Sequence, residues 1–113
     1  MTQQSHLQHF HIVASTMELK EGGQMFVQLD EEEILLCRHQ DQFYAIAYHC
    51  SHAEFSLEGG AMEGGCITCP YHGAEFSLKD GSVTASPAWE GIKVYPLKIE
   101  EGNISICSTP KEN

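Results

Sequence analysis

Apolar and polar positions alternate along this chain in short runs, and no segment carries a helical period of three or four. Phe10 to Ala14 is β-biased, and the stretch Ser15 to Gly23 after it is polar. Gln24 to Leu29 alternates, which predicts a strand with Met25, Val27 and Leu29 on one side. Asp30 to Glu33 reads as a polar turn. Ile34 to Arg38 and Phe43 to Tyr48 then read as a hairpin joined by His39 to Gln42. Cys66 to Cys69, Ala74 to Leu78 and Ser82 to Ser86 predict three further short strands, with Asp80-Gly81 as a turn signal. Ile92 to Ile99 and Asn103 to Cys107, split by Glu100-Glu101-Gly102, predict a closing hairpin. The pattern is that of an all-β domain, a sandwich or barrel-like stack of short strands.

Length allows one such domain, residues 1–113, with the polar residues 1–8 loosely ordered. Six basic against sixteen acidic residues give a formal charge of −10. A phosphate backbone is a poor partner for such a surface, so nucleic acid is not expected. The acidity suits a soluble protein steered towards a basic patch. Glu31, Glu32 and Glu33 alone read as a solvated face. No apolar run approaches the roughly 20 residues of a membrane span, and the opening has no leader pattern, so a cytoplasmic setting is expected. There the thiols of Cys37, Cys66 and Cys107 should be reduced. His6, His9 and His11 have no Cys or carboxylate at ligand spacing and read as surface residues.

The chemistry concentrates between Cys50 and His72. Cys50-Ser51-His52 stands at one end and Cys69-Pro70-Tyr71-His72 at the other, sixteen residues apart. Each end offers one thiolate and one imidazole, and Gly59-Gly60 and Gly64-Gly65 between them permit the chain to double back. Two sulfur and two nitrogen donors fit a zinc site or an iron–sulfur centre. A zinc set would draw on Cys50, Cys66, Cys69 and His72. An extended approach strand opposes it, because side chains three apart point to opposite faces, and His52 would be left idle. In the iron–sulfur alternative Cys50 and Cys69 bind one iron of a 2Fe–2S cluster while His52 and His72 bind the other. Cys37 and Cys107 read as small core residues.

These residues resemble the Rieske family, in particular the small Rieske ferredoxins of bacterial aromatic-ring dioxygenase systems. The resemblance rests on Cys50-x-His52, Leu57, Gly60, then Cys69-Pro70-Tyr71-His72-Gly73, Phe76 and Gly81. It extends to Pro87 and the stretch Ile92 to Leu97. It implies an antiparallel β-sandwich with a small cluster-binding subdomain, here about 49–77, whose histidine edges face solvent. The high-potential branches of the family tie their two ligand loops with a disulfide. Phe55 and Tyr71 stand at those positions, so no disulfide is expected. Ala74 and Phe76 stand where those branches present Ser and Tyr hydroxyls to the cluster. Without these hydrogen bonds the reduced cluster loses stabilisation, which predicts a low potential.

No Gly-x-Gly-x-x-Gly fingerprint for a flavin or nicotinamide is present, nor a second metal site for oxygen. The resemblance therefore implies no catalysis by the chain itself. It implies a monomeric electron carrier between a flavoprotein reductase and a terminal oxygenase. His52 and His72 would form the contact edge, with Glu54, Glu58, Glu63 or Glu75 guiding docking. A bound Rieske-type subunit of an assimilatory nitrite reductase is a second expectation. A structural zinc module is a third, of another class.

Overall fold

The computed structural model describes residues 9–51, 55–71, 73–86 and 90–111. The described chain builds strands β1 (Phe10–Ser15), β2 (Gln24–Leu29), β3 (Glu32–His39), β4 (Gln42–Ala47) and β5 (Met62–Glu63). It continues with β6 (Cys66–Thr68), β7 (Glu75–Ser77), β8 (Val83–Ala85), β9 (Leu97–Glu100) and β10 (Asn103–Cys107). They form three antiparallel sheets in the orders β1-β10-β9, β2-β3-β4 and β5-β6-β7-β8.

The apolar run of β3 explains how these sheets share one domain. Ile34, Leu35, Leu36 and Cys37 are all fully buried, so this strand is covered on both faces. Alternation sends Ile34 and Leu36 into a core with Val27, Ala45, Tyr95, Ile104 and Ile106. It sends Leu35 and Cys37 into a second core with Ile46, Cys50, Leu57, Ile67, Cys69 and Phe76. The β2-β3-β4 sheet is thus a layer common to two cores. Removal of each large side chain from water stabilises the fold by roughly 1.5–3 kcal/mol.

Turn chemistry fixes the register of this layer. Gln40 and Asp41 both have positive φ, 54° and 64°, as a two-residue hairpin loop of the favoured hand requires. The Glu21 carboxylate accepts the N–H groups of Gln40 and Asp41 at 2.6 and 2.8 Å. Those two backbone donors hold its carboxyl below the usual range. At this same end β2 and β3 also hold the third sheet. The Gln24 side chain donates to Gly60 O (3.0 Å) and accepts from Gly59 N (2.6 Å), while His39 Nε2 accepts from Gly65 N (3.0 Å).

The structure departs from the hydropathy pattern in four places. Glu32 and Glu33, in the polar stretch read as a turn, already belong to β3 and pair with Leu29 and Gln28. Ile92 to Ile99 does not form one strand. Lys93 to Tyr95 runs beside β4, through Ala47 N to Lys93 O (2.9 Å) and Tyr95 N to Ala45 O (2.8 Å), and strand β9 begins only at Leu97. Pro96 lies at the switch between sheets and has no N–H to continue either ladder. The two-residue strand β5 was too short to give a period. The polar stretch after β1 contains a single 3-10 turn, Thr16–Glu18, whose Met17 N–H is accepted by Ser15 Oγ at 3.1 Å.

Gly81 and Gly91 bring the third sheet against the segment before β9. Gly81 has φ +78°, and a Cβ there would collide with the carbonyl oxygen of Ile92. Ile92 N donates to Gly81 O at 2.9 Å. Replacement Gly81→Ala therefore adds left-handed backbone strain to a clash with main chain. We expect a loss of at least about 2 kcal/mol, read as a lowered urea midpoint, and an unchanged midpoint would contradict this account.

Candidate metal centre

Strand β4 leads to Cys50 through Tyr48 and His49. Leu57 N donates to Tyr48 O (2.7 Å), and His49 bridges Ser56. Cys50 N then donates to Phe55 O at 2.9 Å, closing a loop over residues 50–55. The second loop leaves β6 and is closed in the same way. Cys69 N donates to Ala74 O at 2.7 Å, and Gly73 N returns to Cys69 O at 3.0 Å. In both loops a cysteine N–H bonds the carbonyl five residues on. Gly73, with φ +80°, supplies the left-handed step that the second loop needs.

Both cysteines are buried, Cys50 at 4% and Cys69 at 1% exposure, in the core that also holds Leu57, Ile67, Ala74 and Phe76. At their outer ends the loops meet through aromatic rings. Phe55 and Tyr71 stack with centroids 4.6 Å apart and planes at 24°, and both are exposed. The first loop is also tied to the segment before β9, because Ser51 Oγ donates to Glu90 O. His52 and His72 lie outside the described residues, as does Glu54.

The other predicted residues fall as follows. Cys66 is half-buried on β6, while Ile67 and Cys69 point into the core, so Cys66 and Cys69 do face opposite ways. Thr84 Oγ1 lies 3.8 Å from Cys66 Sγ and donates to Glu75 at 2.8 Å. Among the described residues no three His, Cys, Asp or Glu side chains form a metal-binding group, so Cys66 does not join Cys50 and Cys69. Cys37, Cys66 and Cys107 are free thiols. Burial pushes the Cys37 thiol up to about 12. His9 and His11 are exposed on β1 and before it. The acidic run is not uniformly solvated: strand alternation turns Glu32 inward, where it accepts from Tyr95 O–H at 2.7 Å and lies 3.6 Å from Lys93 Nζ. Burial and this carboxylate push the Tyr95 hydroxyl well above its usual range.

A pair of buried thiols on two matched loops in an apolar wall is a donor arrangement that suits an iron–sulfur cluster. The chain belongs to the Rieske [2Fe-2S] domain family, whose model matches residues 9–96 and whose cofactor is one Rieske 2Fe–2S cluster. Its relatives include the 3-phenylpropionate/cinnamic acid dioxygenase ferredoxin subunit of Photorhabdus laumondii, 34% identical over 88% of this chain and 95% of that protein. The biphenyl dioxygenase ferredoxin subunit of Pseudomonas sp. strain KKS102 is 31% identical over 86% of this chain and 90% of that one. Among solved structures, the ferredoxin of carbazole 1,9a-dioxygenase from Nocardioides aromaticivorans IC177 superposes with a TM-score of 0.81. It is 30% identical and covers 86% of this chain and 95% of that one. A complex of reduced oxygenase and oxidised ferredoxin in carbazole 1,9a-dioxygenase contains a chain matched with a TM-score of 0.86. That match is 27% identical and covers 95% of this chain and 100% of that one. The zinc alternative falls with this membership and with the outward placement of Cys66.

Thiol exposure makes one expectation concrete. Alkylation of the native, cluster-loaded protein should label Cys66 well before Cys37 or Cys107, because the thiolate is the nucleophile and only Cys66 of these is accessible. Mass spectrometry of peptides after brief iodoacetamide exposure checks this. Equal labelling of Cys37 would refute it.

Proposed function

We propose that this chain is a soluble one-electron carrier, in which Cys50 and Cys69 hold one iron of the cluster and His52 and His72 the other. The observation that carries the reading is the matched closure of the two loops around buried Cys50 and Cys69. A histidine follows each cysteine by two or three residues. When bound, a 2Fe–2S cluster takes up and releases single electrons.

The rest is the work of the polypeptide. The core around Leu57, Ile67 and Phe76 keeps water from the cysteine side of the site. On this reading His52 and His72 would supply the contact edge of the cluster-binding subdomain, about 49–77. Electrons would come from a flavin-dependent reductase and go to a terminal Rieske non-haem iron oxygenase. Ferredoxin subunits of dioxygenase systems among the relatives support the oxygenase as partner, and so does a ferredoxin–oxygenase complex among the matched structures. They favour a diffusing carrier over the bound subunit of a nitrite reductase. Glu58 and Glu63 are exposed and Glu75 half-exposed, and with Glu54 they would steer a basic partner surface. Small transient contacts suit a cytoplasmic monomer of this kind. No described helix is long and apolar enough to cross a membrane.

An absorption spectrum of the purified protein, followed by electron paramagnetic resonance after dithionite reduction, tests the ligand set. The expected result is a red-brown protein with a rhombic signal of low average g. His52→Ala and His72→Ala should abolish the signal, and Cys66→Ala should leave it intact. A colourless protein holding one zinc would sink the reading.

The potential is a separate expectation. Ala74 and Phe76 are fully buried and carry no hydroxyl to donate to the cluster or its sulfur ligands. A redox titration should place the midpoint near the low end of the Rieske range, about −150 mV. A strongly positive midpoint would overturn this expectation.

A further inference from the structure

Phe55 and Tyr71 are two of the large apolar side chains that the described surface leaves exposed, at 44% and 62%. They come from different loops, one closing the first beside Cys50 and the other at the tip of the second beside Cys69. Yet their rings lie stacked, 4.6 Å apart and nearly parallel. Exposed rings contribute little to the buried cores, so their contribution to global stability is small. What the contact does accomplish is geometric. Each loop is closed on itself by backbone bonds, Cys50 N to Phe55 O and Cys69 N to Ala74 O. Neither bond joins one loop to the other. The aromatic pair does.

We infer that the Phe55–Tyr71 stack is a non-covalent clasp that sets how long the two loops stay closed over the cluster, and so governs cluster retention. This rests on the ligand assignment proposed above. A cluster held by both loops leaves only when they separate, and separation requires the rings to part. An aromatic pair of this geometry is worth enough to slow a parting step by about 3- to 10-fold. Both rings act on the same opening, so their effects should not add.

The test follows the first-order decay of visible absorbance of the loaded protein in excess iron chelator. Phe55→Leu, Tyr71→Leu and the double variant keep the apolar character and remove the stack. Each is expected to lose the cluster about 3- to 10-fold faster than the parent, with the double variant no faster than the singles. Tyr71→Phe keeps the ring and should decay at the parent rate. Circular dichroism of the loaded proteins, recorded before chelator is added, should be the same in all.

Unchanged decay in the Leu variants would overturn the clasp. So would additive effects, or a Tyr71→Phe variant as fast as Tyr71→Leu, which would assign the role to the hydroxyl. Unchanged decay with slower electron transfer to an oxygenase would instead make the pair a docking patch. A parent protein that carries no 2Fe–2S spectrum would defeat the ligand assignment itself, which the decay rates of loaded protein cannot mimic.

Discussion

Everything at the tip of this molecule depends on a strand that is buried on both faces. β3 presents Leu35 and Cys37 to one core and Ile34 and Leu36 to the other. A half-exposed strand could support only one layer. Because this one supports two, the third sheet can rest on the β2-β3-β4 layer while the β1-β10-β9 sheet closes its opposite side. Gln24 and His39 then hold the turns around Gly59-Gly60 and Gly65 by side-chain bonds to main chain. The loops that carry Cys50 and Cys69 thus emerge from a rigid base, which suits a site whose donors must converge on a small volume.

Much of this was legible in the residues. Strands β2 and β10 fall where alternation and turn signals put them, and the run from Ile34 to Cys37 already read as apolar throughout. The opposed facing of Cys66 and Cys69 followed from the pleat alone. The Cys–His spacing pointed to the chemistry before any fold was known. In each case the signal was local, a period or a pairing within a few residues.

The rest was invisible for a physical reason: it depends on partners far apart in the chain. Gln24 reads as an ordinary polar strand residue until Gly60, 36 residues away, is placed beside it. Pro96 is unremarkable until two sheets are seen to exchange a segment there. Glu32 sits in an acidic run, and only the fold brings Tyr95 and Lys93 to it. Phe55 and Tyr71 could be noted as lacking a covalent link, but a stack between them needs both loops in position. His52 and His72 lie outside the described residues, so the imidazole half of the site rests on their spacing in the chain.

The sandwich core has a consequence for where substitutions take effect. Ala14, Leu19, Val27, Ile34, Leu36, Ala45, Tyr95, Ile104 and Ile106 include no residue of either loop. None of its apolar contacts involves a cysteine of the site. Cys50 and Cys69 lie instead in the other core, with Leu57, Ile67 and Phe76. A substitution in the first core bears on packing alone, whereas one in the second bears on packing and on the site at once.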